Sequence, residues 1–145
     1  IAVAPAFAAD EWNTSSGNTA AGAPLGLHGV DPVAFVNLGN RIEGSAAFTA
    51  THDGVAYYFS SQANADAFEK SPSKYVNKKG RYCTYGVSVC KKLDGNPRYA
   101  DIDDGKLYVF LNEEIYQAYQ KDRKGTIKKA SANWSKIQHT EVAAL

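Results

Sequence analysis

Apolar and polar positions alternate over two parts of the chain and recur at helical spacing over three others. The stretch "AAFTATHDGVAYYFSS" holds two strand-like runs, residues 47–52 and 55–60, divided by Asp53-Gly54. Asp-Gly tolerates positive φ at both positions and so favours a tight hairpin turn. "RYADIDDGKLYVFL" repeats the arrangement, residues 98–102 facing 106–111 around Asp104-Gly105. Each hairpin runs into a helical pattern. "SSQANADAFEKSP" predicts a helix opened by Ser60 or Ser61, closed before Pro72 and anchored in the core by Phe68. "NEEIYQAYQKDRKG" has Asn112 as cap, early acids Glu113 and Glu114, and late Lys121, Arg123 and Lys124, the charge order a helix dipole favours. Ile115, Ala118 and Tyr119 fall on its apolar side. A last helix is expected over residues 126–137, packing Ile127, Ala130 and Trp134.

The remainder is less regular. "DPVAFV" is a short apolar run held by Pro32, expected to turn into a first strand or buried segment. Residues 13–26, "NTSSGNTAAGAPLG", are small, polar and aperiodic, and predict a flexible leader. The fold class is therefore α+β, one domain with two short hairpins and several short helices. Beyond the likeness of the two Asp-Gly hairpins, no internal repeat stands out.

At 145 residues the chain has the length of a single domain with its own core. A net charge of +1 gives no global electrostatic case for nucleic acid. No stretch reaches the ~20 apolar residues of a membrane span. The opening "IAVAPAFAADEW" matches the end of an export signal, with Ala6-Phe7-Ala8 as the small-x-small cleavage pattern; a plain apolar tail is the alternative. The expected layout is a signal remnant over 1–8, a leader over 9–26, a domain over 27–138 and a tail over 139–145. The expected location is periplasmic or secreted.

Charge is uneven locally. Lys70, Lys74, Lys78, Lys79, Arg81, Lys91 and Lys92 crowd a stretch without an acid. Such a run is either a solvated face or a docking patch for an acidic protein partner.

"GRYCTYGVSVCKK" contains both cysteines, Cys83 and Cys90. A continuous helix would hold their Cα atoms roughly 10 Å apart. A continuous strand would hold them about 23 Å apart. A disulfide needs less than about 7 Å, hence a chain reversal, for which Gly86 is suited. Two buried free thiols are the second alternative. The third is a soft-metal site, copper first, with His28 as third ligand and the neighbouring cations lowering the thiol pKa. The spacing matches no zinc pattern. His52 and His139 are expected in solvent, and the aspartates sit where turns favour them. Tyr57, Tyr58, Tyr82 and Tyr85 are read as core residues, with a shallow groove as the alternative. No phosphate loop or metalloprotease motif appears, and a cysteine with a distant histidine, though compatible with a nucleophilic pair, occurs by chance in most chains this size, so the chain is not read as an enzyme.

In order along residues 27–137, "GVDPVAF", "GVAYYFSS", "ADAF", "SPSKY", "YCTYGV", "DGKLYVFLN" and "ANW" resemble the motifs of exported YHS-domain proteins. The resemblance implies a small α+β domain. Metal-associated YHS and TRASH-like domains carry an opening cysteine cluster and a "YFCSxxC" pattern. On this chain the cluster corresponds to "GVDPVAF", and the two later cysteines to Ser60 and Asn64. The resemblance therefore does not carry that metal site over. It leaves two expectations: metal handling through Cys83, Cys90 and His28, or a metal-free interaction module using the basic stretch.

Overall fold

A computed structural model describes residues 10–76 and 79–145. The expected signal remnant and Lys78 lie outside the described residues. Among these, the chain forms an α+β domain with two separate two-stranded antiparallel sheets.

A 3-10 turn at Leu27–Gly29 leads into helix α1, Pro32–Leu38. "DPVAFV" is thus the buried segment of the two alternatives, in helical form, and not an entry to a strand. Asp31 caps the helix by accepting from the Val33 and Ala34 amides, and Pro32 at the first helical position lacks the N–H that would otherwise go unpaired. Strands β1 (Ser45–His52) and β2 (Val55–Phe59) form the first hairpin, with His52 opposite Val55 and Asp53 and Gly54 at φ 50° and 75°. Helix α2, Gln62–Lys70, is capped by Ser61, and the short α3, Pro72–Tyr75, follows. Helix α4, Thr84–Ser88, is capped by Cys83. The second hairpin pairs β3 (Asn96–Asp103) with β4 (Lys106–Phe110). Helix α5, Glu113–Gln120, begins at the Asn112 cap. Helix α6, Arg123–Ile137, starts three residues before the expected 126, because the Asp122 carboxylate caps it.

The order helix–hairpin–helix occurs twice, and the two copies agree in detail. In the first hairpin Ser45 faces Phe59, and after a bulge Thr49 faces Tyr58. In the second, Asn96 faces Phe110 and, after a bulge, Ala100 faces Val109, every residue 51 positions on. Ser61 and Asn112, at the same offset, cap α2 and α5. Phe59 meets Phe68 with ring centroids 5.2 Å apart; Phe110 meets Tyr119 at 4.2 Å. Ahead of each hairpin stands a capped short helix, α1 or α4. The Asp31 amide donates to the Ile42 carbonyl, and the Cys83 amide to that of Leu93. The likeness of the two hairpins is therefore part of a longer internal repeat.

Each copy has its own core. Val55, Tyr57, Phe59 and Phe68 centre the first; Cys83, Tyr108, Phe110 and Tyr119 centre the second. Helix α6 covers α4, burying Tyr82, Val87, Ala130 and Ile137 together, and the Asn133 amide donates to the Val87 and Ser88 carbonyls at the end of α4.

The segment expected as a flexible leader is joined to this body. Trp12 stacks on Arg81, the Asn13 amide donates to the Gly80 carbonyl, and Leu25 forms a bridge with Ala56. Aromatic and backbone contacts from distant positions hold a stretch whose own composition offers no periodicity.

Candidate functional site

Both thiols are free, so the disulfide alternative is not realised. Cys83 is fully buried beside Tyr108, Phe110 and Tyr119. Its Sγ accepts from the Gly86 amide at 3.4 Å, and the nearby Tyr85 and Leu111 amides also favour the thiolate. Burial pushes its pKa up, and the backbone bonds only partly oppose that. The expected lowering by neighbouring cations does not occur. Cys90 belongs to a different cluster, with Tyr82 and Trp134, in a left-handed conformation at φ 62°. His28 is held elsewhere again, its Nε2 2.9 Å from the Asp94 carboxylate. Among the described residues, no group of three or more His, Cys, Asp or Glu side chains is placed to hold a metal ion.

Ser60 and Asn64 are brought together with Asp31. Asp31 Oδ2 accepts from the Ser60 amide, the Ser60 hydroxyl and the Asn64 side-chain amide, each at 2.8 Å. With the two α1 amides on Oδ1, the buried carboxylate accepts five bonds. Burial on its own would raise the pKa; the hydrogen bonds outweigh it and hold the carboxyl below its usual range. Its lone pairs are spent on the fold.

The basic stretch is not one solvated face. Lys79, Arg81 and Lys92 are buried. The Arg81 guanidinium lies between Trp12 and Tyr57, 4.8 and 4.5 Å from the ring centroids. Its Nη1 has no hydrogen-bond partner among the described residues. Desolvation pushes its pKa down to about 9, opposed by Asp53. The Lys92 ammonium donates to the carbonyls of Asp10, Gln138 and Thr140, joining the start of the described chain to the end of α6. Arg81 and Lys92 are internal fasteners, and the rings that enclose Arg81 come from far along the chain.

What remains of the basic stretch at the surface opens onto a cleft of about 360 Å³. Ser73, Lys74 and Val76 line it from α3 and just beyond, with Lys79 beside them. Asp104, Gly105, Lys106, Leu107 and Tyr108 come from the β3–β4 turn and β4, and Ser131 from α6. Among the described residues, three lysines thus border the cleft against one carboxylate. Lys74 and Lys106 are exposed and form no ion pair with a described residue. The Lys79 ammonium lies 6.0 Å from the Tyr108 ring centroid. Lys106 and Ser131 were not legible as part of this cluster, since only the fold brings β4 and α6 beside α3. Of the four tyrosines named for a groove, Tyr57 and Tyr82 are core residues, Tyr58 is half-buried on β2, and Tyr85 lines a separate pocket with Ser88 and Thr126.

No helix of the described residues is long and apolar enough to cross a membrane. No protein-family model matches the chain, and neither a curated protein nor a solved structure matches it significantly.

Proposed function

We propose that this protein is a non-catalytic binding module that takes an anionic ligand at the lysine-bordered cleft. The cleft is the observation that carries the reading: Lys74, Lys79 and Lys106 converge on it from separate parts of the chain, with Asp104 as the one acid. Partial enclosure lowers the local dielectric and strengthens attraction for an anion relative to open water. The order of motifs supports a YHS-like domain, and the small-x-small pattern near residue 8 supports export.

Copper handling through Cys83, Cys90 and His28 has less support. Cys83 spends its sulfur on backbone amides, and the three side chains occupy different environments. At the positions resembling a thiolate metal site, Asp31, Ser60 and Asn64 satisfy one another by hydrogen bonds.

Calorimetric titration of inorganic phosphate and of a hexaglutamate peptide at low salt tests the proposal. At least one of them binds the wild type, and the K74E/K106E double variant weakens that binding tenfold or more. Equal affinity in the variant, or failure of both of these and of phenyl phosphate to bind, overturns the reading.

A further inference from the structure

We infer that the ligand of this cleft is a small organic anion, one phosphate or carboxylate head on a compact apolar body, rather than the acidic surface of a protein. This rests on the anion-binding reading above and narrows it. The first ground is size. A volume of about 360 Å³ falls within the range of small-molecule pockets, about 300–1,000 Å³. Protein partners that read charge spread it over a wide, open surface. Here that surface is interrupted, because Arg81 and Lys92 of the same basic stretch point their charges into the protein.

The second ground is the make-up of the wall. Val76, Leu107 and Tyr108 stand beside the lysines, and Leu107 and Tyr108 are nearly buried, at 3% and 6% exposure. With Val76 half-buried beside them, they give the cleft an apolar wall for a ligand body. A bare inorganic ion would leave that surface wet, whereas an aryl or short alkyl group covers it. Lys74 and Lys106, exposed at the rim without an ion-pair partner among the described residues, supply charge for the head group. Ser73 and Ser131 add hydroxyl donors. Few polar groups set among apolar ones is the arrangement by which small-molecule sites fix orientation.

Phenyl phosphate, inorganic phosphate and hexaglutamate, each titrated into the full chain at the same ionic strength, test the inference. Phenyl phosphate is expected to bind at least tenfold tighter than inorganic phosphate, and K74E/K106E to lose at least tenfold of that affinity. Both lysines are exposed, so the double variant keeps the wild-type thermal midpoint, and its loss is not one of folding. Equal affinity for phenyl and inorganic phosphate overturns the inference. So does tighter, charge-dependent binding of hexaglutamate, which would leave the anion-binding function standing with an acidic protein as ligand. Failure of all three to bind overturns both.

Discussion

Asn64 donates its side-chain amide to Asp31 Oδ2 at 2.8 Å, across 33 residues of chain. The Ser60 amide and hydroxyl reach the same oxygen. One carboxylate thereby fixes the start of α1, the exit of β2 and the first turn of α2. In the second copy of the repeat Cys83 holds the corresponding place: it caps α4 and is influenced by the amide of Leu111, which lies 51 residues after Ser60. The chain's most buried acid and its buried thiol perform the same task in successive copies.

Replacing the acid should be costly. Asp31→Ala strands the buried Val33 and Ala34 amides together with the part-buried Ser60 and Asn64 donors, and an unsatisfied buried polar group costs about 1–3 kcal/mol. Urea unfolding should show a loss of at least about 3 kcal/mol. Because the folded pKa of Asp31 is depressed, its contribution is complete above the unfolded carboxylate value, about 3.9, and disappears as pH falls through the folded value. Asp31→Asn should therefore flatten the acid limb of the stability curve. An unchanged limb would contradict the role.

For Cys83, the cap is what matters. Cys83→Ala should cost about 1–2 kcal/mol, and Cys83→Ser less, because a hydroxyl oxygen can accept the same amides. In a competition titration neither variant should alter Cu(I) affinity. A tenfold loss in Cys83→Ser would restore the thiol as a metal ligand.

Arg81 should leave a mark at alkaline pH. Its folded pKa of about 9 is below the usual guanidinium value, so burying the charged form costs stability below pH 9. As pH rises above 9 the folded protein loses the proton first, and stability rises relative to a chain lacking the group. The stability difference between wild type and Arg81→Met should be flat below pH 9 and shift in favour of wild type above it. A difference that is level through pH 11 would show that the guanidinium keeps its ordinary affinity for protons.

Glycines at matching positions of the repeat should be equally intolerant. A Cβ at Gly44 would stand 2.4 Å from the Tyr58 backbone, and one at Gly95 2.2 Å from the Arg81 carbonyl oxygen. Neither backbone can yield cheaply, so Gly44→Ala and Gly95→Ala should each cost more than about 2 kcal/mol in thermal or urea unfolding. Tolerance of both would mean that the two hairpins are not held as closely as the repeat requires.

The hairpins and α5 were legible because their signals are local: Asp-Gly turns, an asparagine cap, and acids before bases along the helix. α1 was missed although Asp31-Pro32 is a helix-start signal, because seven residues are too few to display helical periodicity. The repeat was hidden because its anchor changes chemistry, from Asp31 to Cys83, while preserved positions such as Tyr57 and Tyr108, or Phe59 and Phe110, look like ordinary core residues. The leader and the buried cations depend on partners far along the chain; the Lys92 bonds to Gln138 and Asp10 span 46 and 82 residues. The cleft depends on tertiary structure in the same way. Lys74 was visible within a basic run, but its joining with Lys106 and Ser131 exists only once α3, β4 and α6 meet.

The most direct test of where this protein acts is an amide chemical-shift map recorded while phenyl phosphate is added to the full chain. Saturable shifts confined to Ser73, Lys74, Gly105, Lys106, Tyr108 and Ser131 are expected, with His28, Cys83 and Cys90 unmoved. Shifts centred on the cysteines, or none at the cleft, would contradict the account.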